Sequence, residues 1–333
     1  MRNKVELPLV EPVFRTYNHL ANGSAVLFSN PTIRNWYLND VCSLCCTKKF
    51  LEGYTSPQLT PLKGTHHSNP NIERVSYNTR FTKGYTNCII KILLDNGYYV
   101  CFDNVDDFYI KGKSWYGEKH FPHDGMIYGY DEERGTYSIL AYDSSWIHRP
   151  FEVSQKDFNK ARNKMREIGI YSRISGIKPR DTVVEFDPKK ILKNLEQYLT
   201  EPSGKRPGSG EDIVCGTAVH GYIAKYVDKL TNGDIPYDKM DRRVFCMLWE
   251  HKKLMAERLR KLEDALGMDA GCCLDYEEIV RDANNMRLLY ASHHAKRRDA
   301  VLPVIKNTLL KICEEEKLIL EELLSKAKER VDV

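Results

Sequence analysis

The sequence predicts an α+β fold followed by an all-helical part, on three observations. Strand-like runs dense in Tyr, Val, Phe and Ile cluster between residues 98 and 177, interleaved with helical patterns. From residue 213 onward every segment has helical periodicity. Between them lies EPSGKRPGSGED, 201–212, with the Gly/Pro/Ser content of a flexible connection. The expected organisation is a first domain over 1–200, a linker over 201–212 and a helical bundle domain over 213–333. That fits domains of roughly 100–200 residues each.

The elements follow in order. Asn39 or Asp40 is positioned to cap a helix running through VCSLCCTKKFLEG to Gly53. Residues 54–80, rich in Thr, Pro, Ser, Asn and His, read as a loop. IIKILLDNG (89–97) is a short helix stopped by Gly97, and YYVCFDNVDDFYI (98–110) is extended. GMIYGYD (125–131) and TYSILAYD (136–143) flank the polar turn EERG and form a hairpin. VSQKDFNKARNKMREIG (153–169) is an amphipathic helix with Ser154 as its cap, and GIYSRISGI (169–177) alternates as a strand. Helices are expected near 213–230, 240–265, 275–296 and 299–330, with Leu254, Leu259, Leu262 and Leu266 in one apolar stripe. The last is amphipathic and long enough to support a homodimer.

Composition narrows the function classes. Fifty basic and 46 acidic residues leave a net charge of +4. This is too balanced to argue for nucleic acid, and the charges interleave on helical faces as solvated residues do. No apolar run approaches the ~20 residues of a membrane span, and Glu6, Pro8 and Glu11 interrupt the N-terminal stretch where a secretory signal would be continuous. The expected location is the cytoplasm. There the ten cysteines would stay reduced. Cys42-x-x-Cys45 is half a zinc spacing without its second half, and adjacent pairs such as Cys272-Cys273 and His66-His67 suit one ion poorly. Neither metal nor cofactor is expected.

The hairpin carries chemistry. If Tyr130 pairs with Thr136, the same register sets His123 opposite Asp143, with Cβ atoms ~5 Å apart. A carboxylate there would orient the imidazole, fix its tautomer and favour its protonated form. A slip of one residue would put the two on opposite faces. His120 competes for the base role, but its offset of three points it to the other face. Asp106 and Asp107 follow a strand, where they orient an amine or bend the chain; the structural role is favoured.

A histidine base needs a nucleophile or a proton to act on. A thiol in the first turn of the helix expected near residue 40 would feel the positive end of its dipole, which favours the thiolate. Cys42 occupies that turn, ahead of Cys45 and Cys46. The alternative is that all three are core residues, the commoner fate of a cysteine.

Val105-Asp106-Asp107-Phe108-Tyr109-Ile110, the run from His123 to Asp131, and a strand ending in Asp143 together resemble the butirosin-biosynthesis acyltransferase family, which has a papain-like, C39-peptidase-like fold. DRRVFCMLWEHKKLMAERLRKL (241–262) resembles that family's C-terminal region. The resemblance implies a papain-like catalytic half, with Cys42 as nucleophile, His123 as general base and Asp143 as its orienter. It implies an amide-forming acyl transfer from a carrier-protein thioester, borne on phosphopantetheine, through a cysteine acyl-enzyme to a small amine, in a thiotemplated or nonribosomal natural-product pathway. A thioesterase or peptidase would use the same three residues for hydrolysis. A binding module that has lost the nucleophile is the third reading.

Overall fold

The computed structural model describes residues 2–51, 60–61, 69–205, 210–269 and 271–331. In chain order they form β1 (Lys4–Glu6), α1 (Asn18–Leu27), α2 (Arg34–Asp40), β2 (Leu44–Thr47), β3 (Thr60–Pro61), β4 (Ile72–Asn78), α3 (Thr79–Thr82) and α4 (Thr86–Asp95). Then come β5 (Tyr99–Asp106), β6 (Pro122–Asp131), β7 (Thr136–Tyr142), β8 (His148–Ser154), α5 (Gln155–Glu167), β9 (Arg173–Pro179) and α6 (Pro188–Thr200). The chain closes with β10 (Ser203–Lys205), β11 (Asp212–Cys215), α7 (Ala218–Thr231), α8 (Arg243–Leu266), α9 (Gly271–Lys296) and α10 (Leu302–Val331). Among the described residues no helix is long and apolar enough to cross a membrane.

The chain divides into two compact units, 1–33 with 65–183, and 34–64 with 184–333. The expected single break at 201–212 therefore differs in two ways. The helical unit begins at 184, with α6 already inside it, and it takes in segment 34–64. The expected linker also contributes to strands, since β10 and the start of β11 fall within it and pair as an antiparallel ladder; residues 206–209 lie outside the described residues.

The first unit is an α+β layer. Its antiparallel sheet runs β4-β9-β5-β6-β7-β8, with β1 pairing the far end of β6. The expected hairpin forms because Asp131 accepts the Arg134 amide at 3.0 Å and Gly135 supplies the left-handed residue (φ 61°) that the turn needs. Alternation sends Val100, Phe102, Ile127, Ile139 and Ile174 to one face, where they pack with Ile90, Leu94, Phe158 and Ala161 of α4 and α5. Ser154 caps α5 as expected, accepting the Asp157 amide at 3.0 Å. Helix α1, which the sequence reading did not anticipate, packs on β6, β7 and β9 and is buried almost all round. Strand β4 falls inside the stretch read as a loop, while His66 and His67 lie outside the described residues.

The second unit holds the C-terminal helices close to their expected bounds, together with α2 and a four-stranded sheet ordered β10-β11-β2-β3. The helix expected over 39–53 is not there. Arg258, fully buried, donates to the carbonyls of Tyr37, Leu38 and Val41 and so caps the end of α2. The chain then becomes β2, whose Cys45 and Cys46 pair with Cys215 and Val214 of β11. That partner is far away in sequence, so local periodicity carried no sign of it.

Candidate functional site

Two adjacent buried aspartates, Asp106 at the end of β5 and Asp107 just after it, each hold one histidine. A register shift between Phe102 and Val105 precedes them, with Asn104 in the left-handed region at φ 52°. Such a bulge re-aims the side chains that follow. Asp106 accepts the amides of Phe108 (3.2 Å) and Phe121 (3.0 Å) with one oxygen, and meets His120 Nδ1 at 2.6 Å with the other. Asp107 meets His123 Nδ1 at 2.9 Å. An ionised carboxylate only accepts, so a hydrogen bond from Nδ1 to Asp107 requires the tautomer that leaves the lone pair on Nε2.

Lys113 completes this cluster. It is buried, with Nζ 3.6 Å from Asp107 and 3.2 Å from His123 Nδ1. Burial pushes its ammonium below the ordinary lysine range, opposed by the carboxylates of Asp107, Asp124 and Asp143. It serves as counter-ion to a buried aspartate. On the open side, His123 Nε2 lies 3.8 Å from Asp124 Oδ1. Asn18, the first residue of α1, donates to that same oxygen at 2.7 Å. Asp124 also lines a cavity of about 110 Å³. His123 keeps 18% of its side chain exposed, enough for a substrate to reach Nε2.

Asp143 has a different role from the one expected. The expected register does hold beside it, at Met126↔Leu140 and Ile127↔Ile139, but it shifts by one near the turn, where Tyr130 pairs with Tyr137. β7 stops at Tyr142, and the Asp143 carboxylate folds back onto its own loop. It accepts the amides of Ser145 (2.8 Å) and Ile147 (2.9 Å) and pairs with Arg149. Burial pushes the carboxyl up, but those amides and the guanidinium outweigh it and hold it below its ordinary range. The expected His123–Asp143 hydrogen bond is thus replaced by His123–Asp107, because two local amides compete better for Asp143 than a ring across the strand. Asp143 instead shapes the turn that carries Trp146. This exposed residue sits in the left-handed region (φ 59°), its indole 6.5 Å from the His123 ring.

Cys42 also departs from expectation. It lies in the helical unit, two residues past the C-terminal end of α2, where the dipole is negative and disfavours a thiolate. It is buried, with its sulfur 4.0 Å from that of Met255. Burial pushes its thiol up despite Arg258 and Lys252 nearby. Cys45 and Cys46 are strand residues of the same unit, and burial pushes Cys46 up to about 12. In the sheet unit, the early helix on the His123 strand is α1, and it carries no cysteine. Cys101 lines the cavity there, but burial pushes it up to about 12.

Sequence reasoning found no sign of Lys113, Asp124 and Asn18, and for Asp107 it favoured a structural role over a part in the site. A signal for Asp107 was present: two aspartates in tandem, then two histidines three apart, answer each other across one loop. Among the described residues no group of three or more His, Cys, Asp or Glu is placed to hold a metal ion. No family model matches the chain, and no curated protein matches it in sequence.

Proposed function

We propose that this chain is an amide-forming acyltransferase on a papain-type scaffold, in which His123 is the general base, Asp107 its orienter, and acyl transfer is direct. The observation that carries this reading is the 2.9 Å contact between His123 Nδ1 and the buried Asp107. It fixes the tautomer that leaves Nε2 basic, in the direction of Asp124 and Asn18. The donor is an acyl thioester on the phosphopantetheine arm of a carrier protein, and the acceptor is a small amine.

The acceptor nitrogen attacks the thioester carbonyl while Nε2 takes its proton. The tetrahedral adduct then collapses, the C–S bond breaks, and the thiolate leaves with the proton returned by the imidazolium. No acyl-enzyme is required, which suits a site whose early helix bears Asn18 rather than a thiol. Thioester aminolysis is downhill, so positioning and a base suffice.

The test is product analysis with a model acyl thioester and a small diamine, together with intact-protein mass spectrometry. Amide should form with the wild type and with Cys42→Ala, and fall with His123→Gln, with no acyl adduct on the protein. An adduct on Cys42 at turnover, or undiminished amide formation by His123→Gln, would overturn the reading. Release of free acid with no amide would assign hydrolysis instead.

A further inference from the structure

Beneath α1 the sheet face of the first unit carries a polar patch beside the buried Tyr99, Met126, Leu140 and Ile177, where a covered sheet face is ordinarily apolar throughout. Registers Ser76↔Ser175, Ser175↔Cys101 and Cys101↔Met126 define this face. Alternation places Arg74 of β4, Arg173 and Ser175 of β9, Cys101 and Asp103 of β5, and Asp124 of β6 on it. They line the cavity of about 110 Å³, with His19 and Asn22 of α1 at its edge. Ser175 is buried to 4% exposure, and its hydroxyl accepts from the Arg74 guanidinium at 3.4 Å. Holding such groups against a helix costs free energy that apolar side chains would not.

The charges are sorted along the cavity. Two guanidiniums that repel each other lie on the β4–β9 side. The Asp124 carboxylate lies on β6, next to His123. From β9 to β6 is two strand spacings, about 10 Å. Asp103, which accepts the backbone N–H of Arg173, sits between. A bare anion would meet two carboxylates and a bare amine two guanidiniums, so the cavity discriminates against both. A zwitterion satisfies both ends. The volume corresponds to about four waters at about 30 Å³ each, the size of glycine, alanine or β-alanine.

We infer that this cavity is the acceptor subsite, and that the acceptor is a short-chain amino acid with its carboxylate on Arg74 and Arg173 and its amine directed to Asp124 and His123. The inference rests on the acyl-transfer reading for the fate of that amine, but amino-acid binding stands apart from it.

The experiment is calorimetric titration of the full chain with β-alanine, propionate and propylamine, followed by acyl transfer from a model thioester to β-alanine and to propylamine. β-Alanine should bind on the order of tenfold more tightly than either fragment. Arg173→Leu, at an exposed position, should abolish that preference with an unchanged circular dichroism spectrum, and Arg74→Leu should do the same. Saturable β-alanine binding with no acylation of β-alanine or propylamine keeps the amino-acid site and removes the acyl-transfer reading. Acylation of propylamine as readily as β-alanine, unaffected by Arg173→Leu, removes the inference and keeps acyl transfer. Absence of saturable β-alanine binding to the wild type overturns the inference.

Discussion

In the sheet unit a histidine, an aspartate and a lysine meet with one ring nitrogen left open; in the helical unit a histidine, a glutamate and a lysine meet sealed from solvent. Glu316 is the hub of the second cluster. It accepts from Lys252 Nζ at 2.6 Å, from Tyr198 at 2.9 Å and from Tyr276, with His220 Nε2 at 3.5 Å. Lys252 and Glu316 have no exposed side-chain area. His220 turns its Nδ1–H to the Thr217 carbonyl at 2.9 Å, and His251 donates to the Cys42 carbonyl at 2.6 Å. Both clusters join an imidazole, a carboxylate and an ammonium. The difference lies in the carboxylate near the free ring nitrogen: the sealed Glu316 in one, the part-exposed Asp124 of the cavity wall in the other.

The sharpest way to break this comparison is to neutralise the two aspartates around His123 separately. Asp107→Asn removes the negative charge and offers Nδ1 an amide N–H as readily as a carbonyl, so the tautomer is no longer held, and amide formation should fall by ~10²–10⁴-fold at little cost in secondary structure. Asp143→Asn alters only the turn and the Arg149 pair, so kcat should change far less. A steady-state comparison of the two variants decides between Asp107 and the partner expected from the hairpin. Equal losses would restore Asp143 to the catalytic group.

The reason the sequence pointed at Asp143 is physical. Hairpin register is a local property, set by the turn and by alternation; it came out as expected at Met126↔Leu140 and Ile127↔Ile139 and shifted by one at the turn. Which carboxylate a ring selects depends on competition, and the amides of Ser145 and Ile147 are invisible to a pattern of alternating residues. The C-terminal helices, the Ser154 cap and the 131–136 turn were legible for the same reason: each is decided within a few residues. Helix α1 was not, because a helix buried all round has no polar stripe to mark its period. Cys42 misled because a capping residue followed by an apolar run looks alike at the start of a helix and at the end of one. The feature that decided it, Arg258 on the carbonyls of Tyr37, Leu38 and Val41, lies over two hundred residues away in sequence.

A second test separates the clusters by pH. Burial holds His220 down to about 4 and His251 to about 3, with Lys252 adding to both. Unfolding frees both to titrate near ~6.5. The unfolded state therefore binds more protons below ~6.5, and stability should fall as the pH drops from there toward 4. The slope should approach two decades in the folding constant per pH unit where both rings count. Glu316 acts in a lower window. Burial alone would raise its carboxyl, but Lys252, His220 and Tyr276 hold it at about 2, so its contribution is present above ~4.5 and lost as the pH falls through about 2. Urea midpoints measured from pH 7 to 4 should show the slope, and His220→Asn should remove one proton from it. A flat profile over that range would mean these rings are not held neutral.

The smallest expected effect concerns Trp146, and it bears on what the open cluster is for. A bulky residue at φ 59° carries a left-handed penalty of about 1–2 kcal/mol, and this one is 45% exposed, so burial returns little of that cost. Glycine adopts the same conformation without a Cβ clash. Trp146→Gly should therefore raise the melting temperature by a few degrees, the equivalent of about 1 kcal/mol in a domain of this size. If the indole beside His123 serves as a wall for the acyl group, the same variant should raise KM for the thioester while Asp107-dependent turnover persists. Stability and affinity would then move in opposite directions, the signature of strain retained for binding. A variant that is less stable with KM unchanged would make Trp146 an ordinary packing residue of the Asp143 turn.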